Sequence, residues 1–551
     1  GYAQVLRTRA EILLQHNKIT ESSALLQKAL HALAYRLGQT LWGNEITFEV
    51  MEILAQQART WKAEAISATK QSSALHWQKK AADANLEALR LMGFLRRQMS
   101  TSAARQYWLQ QQYALYSEAT EINFRIWQQS GEQTYLEKAF VLSERSKAVQ
   151  LLEAVQLGQA KAQSAVPADM EKLETNLLSR LAELESEKIT SPTKTPQLER
   201  KMLVLMRRLD SLQRVMLRWQ KKKGINPVAD SVYSAQLLRK KLLRTQQAMV
   251  EYFETGSSLL VFVLSKDQFT GFALPKSTSI LQQAIDFRLL LRAYPALNGA
   301  ALDSNLIAWT KLSHALHQEV FAPLQSDLKG IEELIIIPDG PLGFLPFEAL
   351  LSKMPKKIGH FKSHAYLLRQ YAIQYCYSGS LCWELSRKSH TRLLKPSLLS
   401  MAPDFKGHSL GLGPLYNNKV EAAKLGKLWG AKVLTGHAAN LGAFVQLAPH
   451  YSILHLATHG KYFRDVDNYS ALAFAEQKDT LSNDYLYTRD LYALRLPTEL
   501  VVLSACETGT GAVARGEGVL SLGRSFISQG ANSVVTTLWK VEDKAAAQLM
   551  D

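Results

Sequence analysis

The stretch ELVVLSACETGTG, residues 499–511, decides how the second half of the chain folds. An apolar run from Leu500 to Leu503 gives way to Ser504, Ala505 and Cys506, with glycines at 509 and 511. A short aliphatic run bounded by a turn-forming stretch reads as a buried strand, so Cys506 stands where strand becomes loop. Taken alone, one cysteine at such a place is most often a small core hydrophobe. The same design recurs on both sides, in SLLVFVLS (258–265), ELIIIPD (333–339), YSILHLATHG (451–460) and SVVTTL (533–538). Helical patterns, LQQAIDFRLLLRAY (281–294) and VLSLGRSFISQ (519–529), lie between them. Strand and helix in alternation predict an α/β domain whose mostly parallel sheet is covered on both faces. Sites in such sheets collect at the carboxyl ends of strands.

Two strand ends carry chemistry, HLATHG (455–460) and SACETG (504–509). If their strands are neighbours and parallel, His459 and Cys506 leave the sheet at one edge, within reach of each other. A thiol with a pKa of roughly 8.5 is mostly protonated at neutral pH, and an imidazole beside it supplies the missing base. Gly460 lets the backbone approach a substrate closely, so its amide and that of Cys506 are the candidate oxyanion donors. A thiol–imidazole pair calls for neither metal nor cofactor. His455 shares a strand face with residues 457 and 459; it is either an orienting partner or a satisfied core histidine, and the apolar surroundings favour the core. The segment GTGAVARGEG (509–518) is glycine-rich but lacks the Gly-Lys-Ser/Thr ending of a phosphate loop, and Glu517 would repel phosphate. Glycines 509, 511, 516 and 518 predict a flexible loop, with Glu517 complementing the dipole of the helix that runs to Gln529.

Residues 1–160 have another character. They are free of proline and rich in Ala, Leu, Gln and Glu, with apolar steps of three and four such as Leu25, Ala29, Leu30 and Leu33. SSALLQKA (22–29), SSALHWQKKA (72–81) and YLEKAFVLSERSKA (135–148) are related helix-pair signatures. Their spacing is wider than the 34 residues of a tetratricopeptide repeat. The expectation is a degenerate α-solenoid with some overlong helices, its concave surface suited to a peptide or partner. Pro167 and the TSPTKTPQ stretch (190–197) divide residues 161–237 into helical arms, with heptad-like Leu173, Leu177, Leu181 and Leu184.

Bulk properties bound the reading. At 551 residues and roughly 150 per domain, two to four units are expected. Apolar content of 47% and charged content of 21% are those of a globular chain, and no apolar run approaches the span of a bilayer. No membrane contact is expected. Three cysteines, at 376, 382 and 506, are too few and too scattered for a disulfide framework or a zinc site, which favours a reducing cytoplasm. The net charge of +16 is uneven: residues 201–244 hold twelve Lys or Arg against Asp210 and Asp230. A solvated helix face is the plain reading of that band, and a nucleic-acid contact the sharper one.

Together these residues resemble the CHAT peptidases, caspase-like cysteine proteases often placed behind tetratricopeptide repeats. The resemblance rests on IIIPDGPLGFLPFEAL (335–350), ILHLATHG (453–460), the long run from 499 to 543, and YLEKAFVLSERSKAVQLLEA (135–154). It implies a multidomain α plus α/β chain: repeats over 1–160, arms over 161–237, and a caspase-like domain over 238–551. Within that domain, 238–390 would be the less active half and 391–551 the catalytic half, with a last helix that family members continue beyond residue 551. It implies a cysteine endopeptidase with His459 as general base, Cys506 as nucleophile and the Gly460 and Cys506 amides as oxyanion hole. Gly516, Glu517 and Gly518 would shape the loop beside the site. The position two before the nucleophile, a pocket residue in several relatives, is Ser504 here, which leaves the P1 preference open. Asp465, Asp467, Asp484, Asp490 and Glu517 are the candidates to charge the pocket. The implied partners are a protein substrate and a regulatory protein held by the helical repeats. The implied settings are bacterial defence or regulated proteolysis, with an RNA-guided effector complex or a pore-forming substrate. The loops 461–481 and 507–518 are the expected gates. The competing expectation is a repeat scaffold whose α/β domain performs no chemistry.

Overall fold

The computed structural model describes residues 1–36, 44–98, 102–164, 166–190, 195–224, 232–275, 278–387, 397–406, 411–461, 470–477, 484–492, 494–506 and 508–550. Their contacts group them into two units: Gly1–Lys147, Val232–Ser277 and Asp327–Ile337 form one; Ala148–Ser231, Thr278–Ser326 and Pro338–Asp551 form the other.

The first unit opens with the helices Tyr2–Gln15, Ile19–Ala32, Asn44–Ser67, Gln71–Gln98, Ser102–Ser130 and Gln133–Ser146, each packed on the next. Buried Ala55, Ala58, Ala81, Ala84, Ala88 and Ala119 put small side chains into the cores between these long helices. Three of the helices run to 24, 28 and 29 residues, so the expected overlong helices are present. The arrangement is consistent with tetratricopeptide-like repeats. Among the described residues the same unit holds four strands. Gln247–Glu254 pairs antiparallel with Ser258–Ser265, which pairs antiparallel with Phe269–Pro275; on its other side Gln247–Glu254 runs parallel to Glu333–Ile337. Phe124 and Phe140 meet Phe262 edge to face, and the buried Glu251 takes the Lys147 ammonium at 3.2 Å, so helices and sheet share one core.

In the second unit the helices Val149–Ser164, Ala168–Thr190 and Thr195–Lys222 are divided from one another at the expected proline breaks, and the last two pack against each other. Leu177, Leu181 and Leu184 are buried as their heptad spacing requires, whereas Leu173 is exposed. On Thr195–Lys222 the buried Leu198, Met216 and Gln220 turn inward, and Lys201, Arg207, Arg208, Arg214 and Arg218 line the exposed side. The basic band therefore begins as a solvated helix face.

The sheet that carries the candidate residues has the order Ser533–Val535, Leu500–Ser504, Ile453–Ala457, Leu398–Ala402, Lys432–Thr435, and every pairing in it is parallel. Alternation sorts its side chains. Leu399, Met401, Leu454, Leu456, Val501 and Leu503 face one way, into a core with Phe444, Leu491 and Phe526. Fully burying each such side chain contributes about 1.5–3 kcal/mol. Ser400, His455 and Ser504 face the other way, beneath the helix Asn418–Trp429, which supplies the buried Asn418 and Glu421. Both faces are thus covered, as parallel pairing demands.

Residues 509–521 differ from the flexible loop expected of their glycines. Gly511–Ala514 and Gly518–Ser521 form an antiparallel hairpin, in which a Cβ on Gly511 would lie 1.8 Å from the Leu520 carbonyl oxygen. That glycine serves close strand approach rather than mobility. The two cysteines at 376 and 382 come together: a hydrogen bond from Cys382 and the amides of Ser378 and Tyr377 hold the Cys376 thiol below its usual range, against the effect of burial. Among the described residues no helix is long and apolar enough to cross a membrane. Among the same residues no His, Cys, Asp or Glu cluster is arranged to hold a metal ion.

Candidate active site

The strands Ile453–Ala457 and Leu500–Ser504 are neighbours, paired from Leu500 opposite Ile453 to Ser504 opposite Ala457. His459 and Cys506 therefore leave the sheet at the same edge, each two residues past the last pair. The Thr458 amide extends the ladder by donating to the Ser504 carbonyl at 3.2 Å. Beyond that point the two chains close on each other: a Cβ built on Gly460 would stand 2.3 Å from the Cys506 carbonyl oxygen. Only glycine fits there, so the two backbones that carry the candidate oxyanion donors lie in direct contact.

His459 is half-buried, its ring edge to face with the buried Phe405 at 4.7 Å between centroids. Its Nε2 lies 2.7 Å from the Gly413 carbonyl oxygen. A carbonyl can only accept, so Nε2 carries the proton and Nδ1 is left as the basic nitrogen. Gly413 was not legible in the sequence, because a main-chain acceptor has no side-chain signature. The Cys506 thiol, also partly buried, donates to the Val541 carbonyl at 3.7 Å. The segment bearing Val541 is itself fastened to the Cys506 loop. Thr537 donates from Oγ1 to Ala505 O at 2.6 Å and from its amide to Thr508 Oγ1 at 3.1 Å, and the Gly509 amide donates to Thr537 O at 2.8 Å.

His455 has no part in this edge. It is buried, with Nδ1 2.9 Å from Ser400 Oγ and Nε2 2.7 Å from Glu421 Oε1, the satisfied core histidine that the apolar strand favoured. Ser504 shares that network, its hydroxyl donating to Glu421 Oε2 at 3.3 Å on the helix-covered face of the sheet. Asn418 completes it by donating to Ala457 O at 3.2 Å and Pro403 O at 2.9 Å. The hydroxyl at position 504 is thus occupied under the sheet.

Glu517 is buried and committed elsewhere than a pocket. One carboxylate oxygen accepts from the Gln150 amide at 3.1 Å, and the other takes the Arg524 guanidinium, which also reaches the Glu517 carbonyl. It complements a helix dipole as expected, but that of Val149–Ser164. The helix Leu522–Ser528, which lies within the stretch that runs to Gln529, is capped by Ser521 instead. Asp490 accepts from the Tyr487 amide at 3.0 Å, and burial raises its carboxyl above the usual range. Asp484 accepts from the Gln477 amide at 3.4 Å. Asp465 and Asp467 lie outside the described residues, as does much of the expected gate at 461–481.

The site is thus a thiol and an imidazole delivered to one sheet edge by parallel neighbours, with two backbones in contact between them. Comparison with curated proteins gives no match. The family model of the CHAT domain matches residues 310–551, which span the whole of this sheet and its edge. Residues 310–551 thus match the CHAT domain, and the parallel sheet they form is consistent with a caspase-like fold, in a chain whose N-terminal region is helical.

Proposed function

We propose that the chain is a cysteine endopeptidase in which Cys506 is the nucleophile and His459 the base. The observation that carries this reading is the contact of Gly460 with the Cys506 backbone at the shared end of two parallel strands. The thiol turns from Val541 O to His459, gives its proton to Nδ1, and the sulfur attacks the peptide carbonyl carbon. The Gly460 and Cys506 amides hold the oxyanion that forms. As the carbon–nitrogen bond breaks, His459 returns the proton to the leaving amine, and a water deprotonated by the same ring cleaves the thioester. The helical repeats hold a regulatory protein or the substrate, in a defence or regulated-proteolysis setting with an RNA-guided effector or a pore-forming substrate. The exposed lysines and arginines on Thr195–Lys222 offer any such partner a positively charged face.

An electrophilic peptide probe tests the chemistry. The wild-type chain should be labelled at Cys506, with labelling lost in Cys506→Ala and reduced at least about a hundredfold in His459→Ala. Labelling that persists unchanged in Cys506→Ala removes the nucleophile. Absence of labelling in every form, with and without partners, favours the scaffold.

A further inference from the structure

One short segment touches both halves of the site. Val541 receives the Cys506 thiol, and two residues later Asp543 begins the helix Asp543–Met550. A single carboxylate oxygen of Asp543, Oδ2, accepts three hydrogen bonds: from the Tyr416 amide at 3.0 Å, the Asn417 amide at 2.8 Å and Asn417 Nδ2 at 2.8 Å. Charge-assisted bonds of this length are about twice as strong as neutral ones, and three converge here. Residues 411–417, which Asp543 grips at their carboxyl end, carry Gly413, whose carbonyl receives His459 Nε2.

We propose that Asp543 is a positioning residue for His459. It fixes the loop 411–417, and that loop presents the Gly413 carbonyl that keeps the proton on Nε2 and leaves Nδ1 as the unprotonated nitrogen. This rests on the reading of His459 as the base of Cys506. Without the carboxylate the loop has lost its three-donor anchor, Gly413 O wanders from the ring, and the imidazole samples the unproductive tautomer and orientation.

The test needs no peptidase activity. Iodoacetamide alkylation of the full chain at pH 7 is followed by mass spectrometry of the peptide containing Cys506, so Cys376 and Cys382 do not interfere. His459→Ala should slow alkylation of Cys506 about tenfold or more, and Asp543→Ala about tenfold. Asp543→Asn, which keeps an acceptor oxygen, should stay within about threefold of the wild type. In a His459→Ala background Asp543→Ala should change nothing, because its effect runs through the ring. Equal slowing by Asp543→Ala with and without His459 would show a merely structural role and overturn the inference. An unchanged rate in Asp543→Ala while His459→Ala slows alkylation overturns it and leaves the dyad standing. An unchanged rate in His459→Ala removes the dyad and the inference together. Should Asp543→Ala not fold, Asn417→Ala breaks one of the three bonds alone and should slow alkylation about threefold, an effect that must likewise vanish without His459.

Discussion

Gly460 is the residue at which backbone geometry and chemistry meet. Its Cα faces the Cys506 carbonyl so closely that any side chain would have to displace main chain, which cannot rotate away as a long side chain can. Gly460→Ala should therefore cost more than a usual glycine replacement, about 2–4 kcal/mol of stability, with loss of probe labelling even in the fraction that folds. Thermal melting read beside labelling checks both, and a variant that melts and labels like the wild type would contradict the contact. The sequence disclosed this residue because a glycine after a strand-end histidine is a local signal. It did not disclose Gly413 or Asp543. One acts through a main-chain oxygen and the other through amides more than a hundred residues away, and neither leaves a mark in spacing or composition. Ser504, a pocket candidate only through the resemblance, has its hydroxyl turned under the sheet to Glu421 by strand alternation.

At the scale of elements, the hairpin of Gly511–Ala514 and Gly518–Ser521 is fastened by a buried ion pair. Glu517 lies between the Arg524 guanidinium and the first turn of Val149–Ser164, and Gly516 O accepts from the Ala148 amide at 2.6 Å. Arg524 also lies over the Tyr377 ring at 5.3 Å, and Tyr377 packs on the Gly518 backbone. Removing one partner of a buried pair leaves the other charged and unpaired, at about 3–5 kcal/mol. Glu517→Ala should cost that much in chemical denaturation, whereas adding Arg524→Leu should restore part of it. Additive losses would mean that the two side chains act independently. Period and turn signals were sufficient to find the strands 258–265, 333–337, 453–457, 500–504 and 533–535. They missed, among others, Gln247–Glu254, Phe269–Pro275, Leu398–Ala402 and Lys432–Thr435, and the short paired strands 511–514 and 518–521. In the hairpin, Gly511, which a sequence reads as loop, is there because two backbones pass within one atom's width.

For the whole molecule, stability should carry an acid limb that the formal charge of +16 does not predict. His317 is fully buried at the end of the helix Gly299–Leu316, its ring against Phe321, and burial together with the nearby His314 pushes its pKa down to about 4 from an ordinary 6.5. The folded protein holds this ring neutral while the unfolded chain protonates it near pH 6.5. Above that value the stabilising difference is fully present. As pH falls from 6.5 toward 4, the unfolded state binds the extra proton and stability drops, by up to about 3 kcal/mol when the folded ring begins to titrate. His317→Gln removes the titration, so its denaturation midpoint should vary less between pH 7 and pH 4.5 than that of the wild type, even if it is lower at pH 7. Equal acid sensitivity in the two proteins would assign the limb to other groups. Composition and charge placed the chain among globular multidomain proteins, but a single neutral histidine sealed in a core reports only on packing, and packing is what the sequence alone leaves unread.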